Sequence, residues 1–330
     1  MTINTTINLA IIGLGKIAHK FASDVPLVKG VRLYAVASRD QDRAREFATK
    51  HNAQKYFDSY ESLVADAKVD LVYIATPNNF HFDHTMLCLD AGKAVICEKP
   101  FALNSKQVSL MIAKAKQQQL FLMEALWTRF IPATQKVIDL ITQGAIGQIT
   151  EITADFGFAA PVNLDARLYN KALGGGSLLD IGIYPIYLSY LLLGLPKKIH
   201  ATATLSPTGV DTNCEMVFEH TKAKSNLQCS FTQSTPTEAI IKGSKGTIKM
   251  HSRFHHCKEL TLITEYEAPV TISLDYKGNG YGYELAHVVA CMGGGKTESP
   301  MISHRDSLNL IGQLDQVREL IGVKFEQDDV

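Results

Sequence analysis

The chain has no surplus of charge: lysine plus arginine and aspartate plus glutamate each number 33 in 330 residues. Nothing in that balance recruits nucleic acid or an anionic membrane surface. The six cysteines (Cys88, Cys97, Cys214, Cys229, Cys257, Cys291) include no C-x-x-C spacing and lie mostly in apolar stretches, which points to reduced thiols in a cytoplasmic protein. No charged segment followed by an apolar core opens the chain, so no secretory signal is expected. The greasiest run, Ile181 to Leu195, is 15 residues long and contains Pro185 and Ser189. It is too short to span a bilayer and reads as a buried helix. Internal repeats and low-complexity linkers are missing too.

The length suggests two domains, and a hydrophobic content of 46% is ample for two cores. Through the first third, strand-length apolar runs near 7–12, 31–37, 71–75, 94–97 and 120–124 alternate with helical patterns near 16–26, 41–51, 60–66, 80–91 and 104–118. Such alternation predicts a doubly wound parallel sheet covered on both faces, with ligands at the carboxyl ends of the strands. After residue 125 the pattern changes. Helices near 132–143 and 177–193 are joined by eight strand-like stretches between 148 and 273, several separated by turns such as Gly243-Ser244-Lys245-Gly246, and two late helices near 282–292 and 304–321. The expected architecture is an α/β chain: a dinucleotide-binding domain over 1–124, then an α+β domain over 125–330 with a large, mostly antiparallel open sheet and a cleft at the join. Residues 1–123 hold 15 basic against 11 acidic side chains, a mild tilt that suits an anionic cofactor.

The run Ile7 to Ile12 breaks on Gly13 and Gly15 and restarts as a helix at Lys16, Ile17 and Ala18. In such a G-x-G-x-x-A turn the first glycine permits the tight bend and the second lets backbone approach a pyrophosphate. The small third residue lets helix pack on strand, and the helix N-terminus faces the anion. About 20 residues on, where an acidic residue would bind the ribose of NAD, the second strand ends in Ser38-Arg39-Asp40. Arg39, with Arg43 one helical turn later, suits the 2′-phosphate of NADP better. The plainer alternative makes both arginines solvated surface charges and Asp40 a helix N-cap.

Three further constellations follow. The strand near 71–75 runs into Thr76-Pro77-Asn78-Asn79-Phe80-His81, a loop that lines a dinucleotide or supplies only caps and turns. The strand near 94–97 runs into Glu98-Lys99-Pro100, which aims a lysine at the nicotinamide position. Partial desolvation beside a cationic ring would lower its pKa towards the range useful for proton transfer. Pro100 would fix that turn, a cis bond being one way, and Glu98 would orient the ribose or Lys99, or else be a solvated strand terminus. In the second half, Gly174-Gly175-Gly176 form a loop that lets backbone approach a ligand, and Asp180 and Tyr184 stand four apart on one helix face. Their alternative is a structural pair, Asp180 capping the helix and Tyr184 packing in the core.

Taken in order, G-x-G-x-x-A, the T-P-N loop, E-K-P and G-G-G-x-x-x-D-x-G resemble the glucose-fructose oxidoreductase, inositol dehydrogenase and rhizopine-catabolism family (GFO/IDH/MocA) over nearly the whole chain. Most of that family carries histidine four residues after the aspartate; here it is Tyr184. That tyrosine, Met123 to Phe130, Ser38-Arg39-Asp40 and the endings Glu298-Ser299-Pro300 and Ile321 to Phe325 look like the branch of dimeric dihydrodiol dehydrogenase, also described as NADP-dependent D-xylose dehydrogenase.

The resemblance implies Lys99 and Tyr184 as catalytic pair, Asp180 near the substrate, and Trp127 with Phe156 walling its pocket. It also implies cofactor contacts from the glycine motif, Arg39, Arg43, the Thr76–His81 loop, Glu98, Lys99, Trp127 and Arg129, and a homodimer through the open sheets. The branch places a large aromatic after the Gly246 hairpin, whereas this chain reads His251-Ser252-Arg253-Phe254-His255-His256-Cys257, which weakens an aromatic-diol substrate. A metal site there is disfavoured, because strand spacing does not converge those side chains.

The expected chemistry is reversible hydride transfer between NADP and a carbinol carbon of a sugar, polyol or vicinal diol. Tyr184 relays the proton with Lys99 lowering its pKa, or Lys99 is itself the base. The rivals are an NADPH-binding sensor without turnover, a glycosidase of the same fold with a retained dinucleotide, and an oligomeric binding module.

Overall fold

The computed structural model describes residues 6–265 and 267–328. The chain divides into two compact units, Met1–Trp127 with Lys277–Leu308, and Thr128–Tyr276 with Asn309–Val330.

In the first unit, β1 (Ile7–Ile12), β2 (Val31–Ala37), β3 (Lys55–Phe57), β4 (Leu71–Ile74), β5 (Ala94–Glu98) and β6 (Leu122–Ala125) form a parallel sheet in the order β3-β2-β1-β4-β5-β6. At its centre, Leu9–Ile12 of β1 and Leu71–Ile74 of β4 are fully buried on both faces, as a sheet covered by helices on either side requires. The covering helices include α1 (Lys16–Asp24), α2 (Gln41–His51), α3 (Tyr60–Val64), α4 (His81–Asp90) and α5 (Ser105–Gln118). Local chemistry sets their ends. Asp40 accepts the Arg43 amide at 3.1 Å to start α2, Asn52 ends it in the left-handed region at φ 56, and Asn104 caps α5 through the Gln107 amide at 2.9 Å.

The second unit holds α6 (Pro132–Thr142), β7 (Ile149–Gly157), α7 (Ile183–Leu193) and seven further strands: β8 (Lys198–Leu205), β9 (Asp211–Glu219), β10 (Lys224–Ser230), β11 (Ala239–Gly243), β12 (Gly246–Met250), β13 (Glu259–Thr264) and β14 (Val270–Ser273). They make an eight-stranded sheet in the order β14-β13-β12-β11-β7-β10-β9-β8, antiparallel throughout except for the parallel pair β7–β10. Burial alternates along β9 because one face packs on the turn before α7. The other face carries a depression lined by Thr153, Asp155, His200, Glu215, Asn226 and Gln228.

The span Lys171–Leu193 is long and apolar enough to cross a membrane by length and composition, which extends the 15-residue run seen in the sequence; most of it is buried within the protein. A helix apolar all round is what a core position demands. All six cysteines are buried free thiols.

The chain returns to the first unit in α8 (Tyr281–Gly293), then ends in α9 (His304–Ile321). Residues 277–308, which sequence patterning assigns to the second domain, therefore group with the first. The cause is a long-range contact: Asp24, at the end of α1, is 1% exposed and accepts the backbone N–H groups of Asn279, Tyr281 and Gly282. It caps a helix from a distant part of the chain, something no pattern within 277–293 discloses.

Candidate active site

At the glycine turn of the first unit, Gly13 has φ +83, and a Cβ there would stand 2.5 Å from the Ala75 and Thr76 backbone. Gly13 thus lets β1 and the loop after β4 meet. Gly15 differs, since a Cβ there would meet nothing within 4 Å. It begins α1 without any side-chain cap, so the first-turn amides present their donors beside open space. Ala18 is fully buried. The turn fits a dinucleotide pyrophosphate on these grounds.

Arg43 folds back over this turn and donates to the Leu14 carbonyl at 2.7 Å, so it is not a freely solvated charge. Arg39 is exposed and acts electrostatically on Tyr60 and His84. Asp40 is an N-cap as well, so the plainer expectation for it holds beside the arginine placement. His84, not singled out in the sequence, receives a hydrogen bond from or gives one to Thr76 Oγ1 at 3.0 Å and packs on Tyr60 and Phe80. Burial, then His81 and Arg39, pull its pKa down to about 4.

The loop after β4 turns through a short 3-10 helix, Asn78–Phe80, with Pro77 preceding it. His81 is buried, its Nδ1 facing the Pro100 carbonyl at 2.7 Å and its Nε2 the Thr76 carbonyl at 2.9 Å. The ring is committed to tying the two loops together rather than turned outward towards a ligand. The Lys99–Pro100 bond is cis.

Glu98 is buried, which rules out a solvated strand terminus; it accepts the Tyr73 hydroxyl at 2.5 Å and the Lys99 amide at 3.3 Å. Tyr73 stacks on Phe21 at 3.7 Å, Phe21 meets Tyr281 edge-on at 6.1 Å, and Tyr281 lies flat on Trp127 at 4.5 Å. One indole face of the expected pocket wall is therefore covered by an aromatic from α8. Glu124, at the end of β6, accepts the Phe101 amide at 3.0 Å, and burial pushes its pKa up to about 7. Glu284 of α8 is fully buried, and burial holds its carboxyl well above the usual range, with Glu98 and Asp24 adding to the shift.

In the second unit Gly175 and Gly176 face protein rather than a path to a ligand. A Cβ on Gly175 would stand within 2.9 Å of the Arg167, Leu168 and Asn170 carbonyls, and one on Gly176 2.5 Å from Asp211 Oδ1. The loop needs glycine because protein backbone packs against it. Asp211 is buried and accepts the Ser177 hydroxyl and the Leu178 amide, both at 2.6 Å. It caps the turn, the part that Asp180 takes in the plainer expectation.

Leu178–Gly182 is a π-helix that leads into α7. Asp180 therefore lies in the π turn and Tyr184 in the first turn of α7. Asp180 forms a two-pronged ion pair with Arg167, at 2.9 and 3.2 Å. Burial opposes the Arg167 charge, but Asp180 outweighs it and the pKa rises. Tyr184 is 7% exposed, its ring 5.8 Å from Phe156 and 4.6 Å from His255. Arg129 keeps two buried nitrogens, Nε and Nη1, without a hydrogen-bond partner among the described residues.

Arg167, which pairs with Asp180, is not singled out by the sequence, and His255, named there only within the run His251–Cys257, packs beside Tyr184. The segment around His255 does not converge as a metal site would: His251 turns to Thr261 Oγ1 at 2.8 Å while His255 turns to Phe156 and Tyr184.

Comparison with known proteins agrees with this fold. Residues 7–126 match a family model described as an oxidoreductase family with an NAD-binding Rossmann fold, and residues 134–249 match the GFO/IDH/MocA C-terminal domain. The human trans-1,2-dihydrobenzene-1,2-diol dehydrogenase is 38% identical over 307 residues, 90% of this chain and 91% of that one. The mouse enzyme of the same name is 37% identical over 96% of this chain and 98% of its own. Among solved structures, a 3-ketoreductase from Actinomadura kijaniata with NADP and TDP-benzene superposes with a TM-score of 0.87 at 24% identity, covering 96% of this chain and 98% of its own. An aldose-aldose oxidoreductase from Caulobacter crescentus with glycerol gives 0.87 at 23%, covering 96% and 97%. At those identities the structures speak for the fold alone.

Proposed function

Because the chain belongs to the GFO/IDH/MocA oxidoreductase family, we propose that it is an NADP-dependent dehydrogenase acting on a carbinol carbon of a sugar, polyol or vicinal diol. The observation that carries this reading is the likeness to the dihydrodiol dehydrogenases along nearly the full length of both chains.

The preference for NADP is supported by Arg39 and by Arg43 folded over the glycine turn, two guanidinium groups where a ribose-binding carboxylate would otherwise stand. Gly13, Gly15 and the first turn of α1 would hold the pyrophosphate, with the Thr76–Asn79 loop along the dinucleotide. When bound, the nicotinamide supplies the hydride acceptor or donor.

The chain's own residues handle the proton. Tyr184 holds the reacting hydroxyl and takes its proton as the carbinol carbon gives up its hydride and becomes a carbonyl. The Lys99 ammonium favours the phenolate and the developing alkoxide. Asp180, fixed by Arg167, accepts a hydrogen bond from a neighbouring substrate hydroxyl. We extend the proposal to a cytoplasmic homodimer formed through the exposed face of the second sheet, whose mixed polar and apolar depression suits self-association.

The test is a panel of pentoses, hexoses, inositols and aromatic dihydrodiols, assayed for reduction of NADP+ against NAD+, with sedimentation of the purified protein. Lys99→Met and Tyr184→Phe should each lower turnover by about a hundredfold or more while NADPH binding stays near wild type. Wild-type turnover in either variant removes that residue from the mechanism, and NADPH binding without turnover on any substrate favours a sensor.

A further inference from the structure

His255 is a polar ring set among aromatic ones. It is 6% exposed, stacks on Phe156 with centroids 4.5 Å apart and planes 19° apart, and lies 4.6 Å from the Tyr184 ring. Phe254 meets it edge-on at 5.8 Å, and Phe158 stands 6.5 Å from Phe156. Every member of this cluster belongs to the second unit.

Its position is held from both sides. Arg253, in the left-handed region at φ 61, opens the short 3-10 turn Phe254–His256. The Phe254 amide donates to the Thr237 carbonyl at 3.0 Å. The Tyr276 hydroxyl donates to the His256 carbonyl at 3.0 Å and accepts from His256 Nδ1 at 3.1 Å. The turn cannot slide without losing these bonds.

Stacking uses the faces of an imidazole, whereas hydrogen bonding uses its in-plane nitrogens, so the contact with Phe156 and a polar contact at the ring edge do not compete. A hydrocarbon ring at this place would make the Phe156–Tyr184 wall wholly apolar apart from the phenol. An imidazole gives it a directional hydrogen-bonding edge beside the group proposed to hold the reacting hydroxyl. Sites built to hydrogen-bond a hydroxyl discriminate strongly against ligands without it, whereas apolar walls discriminate weakly.

We infer that His255 is a specificity-determining residue that hydrogen-bonds a substrate hydroxyl next to the one held by Tyr184, and that it biases the enzyme towards polyhydroxylated sugars and polyols over arene dihydrodiols. This inference rests on the dehydrogenase reading and names the substrate class within it.

The experiment compares wild type, His255→Phe and His255→Gln, each with NADP+, on D-xylose and on the trans-dihydrodiol of benzene, with thermal unfolding of each protein. His255→Phe should lower kcat/KM for the pentose about tenfold or more relative to the dihydrodiol, and His255→Gln should recover most of the pentose activity, because an amide restores a hydrogen bond that packing alone cannot. If the phenylalanine variant does not fold, His255→Leu against His255→Gln carries the same contrast. An unchanged substrate ratio in a folded apolar variant of an active enzyme overturns the inference alone. A wild type that oxidises the dihydrodiol but no sugar or polyol overturns the inference alone, and one that oxidises no member of the substrate panel overturns the dehydrogenase reading with it.

Discussion

Asp24 Oδ2 accepts the backbone N–H of Tyr281 at 2.9 Å across 257 positions of sequence. The same carboxylate takes the Asn279 amide at 2.8 Å and its side-chain nitrogen at 3.0 Å. Removing a buried carboxylate that satisfies several donors at a helix start leaves those donors without partners. Asp24→Ala is expected to cost about 2–4 kcal/mol of stability in urea unfolding. A loss below about 0.5 kcal/mol would show that this cap contributes little.

The two glycines of the turn after β1 should separate in experiment. Gly13→Ala places a Cβ 2.5 Å from the Ala75 and Thr76 backbone at φ +83, so folding stability should fall by about 2–4 kcal/mol. Gly15→Ala meets nothing within 4 Å, so its stability should stay within about 1 kcal/mol of wild type. Its methyl would instead occupy ground meant for the pyrophosphate, and NADPH affinity by calorimetry should drop about tenfold or more. Unaltered NADPH affinity in Gly15→Ala would move the cofactor elsewhere.

Glu124 makes stability depend on pH. Burial raises its carboxyl from 4.5 to about 7, so the native state holds this proton where the unfolded chain has released it. Between those values the native form binds more protons, and stability falls as pH rises. Above about pH 7 the whole penalty, roughly 3 kcal/mol, is in place. Glu124→Gln keeps an oxygen for the Phe101 amide and carries no charge. It should gain about 2 kcal/mol over wild type in urea unfolding at about pH 8 and nothing near pH 4.5. Equal gains at both pH values would assign the effect to packing.

Much of this fold is legible in the sequence because its signals are local. Buried runs such as Ile7–Ile12 and Val31–Ala37, and the alternation along Asp211–Glu219, announce themselves by period, and Asp40 announces the start of α2. What escapes reading depends on partners distant in sequence. Lys55–Phe57 is a three-residue, largely exposed edge strand whose identity comes from pairing with β2. The parallel pairing of β7 with β10 is set by the path of the chain, not by either strand's composition. The π turn at Leu178–Gly182 begins at the Ser177–Leu178 corner that Asp211 caps, and the four-residue spacing of Asp180 and Tyr184 reads in sequence as an α-helix.

The candidate site divides along the same line. Gly13, Gly15 and the strand-end motifs are contiguous and visible, whereas Arg167 reaches Asp180 from an irregular loop and His255 reaches Tyr184 from a turn with no helical or strand period. The purpose of Gly175 and Gly176 is also invisible locally, since what crowds them is the backbone of Arg167 to Asn170 and the Asp211 carboxylate.

The return of Lys277–Leu308 to the unit begun by the first 127 residues has a consequence for biosynthesis. A ribosome delivers Asp24 early and the amides of Asn279 and Tyr281 nearly at the end, so the half made first cannot close its own core while translation is under way. Nascent chains halted before residue 277 should therefore leave α1 open to protease.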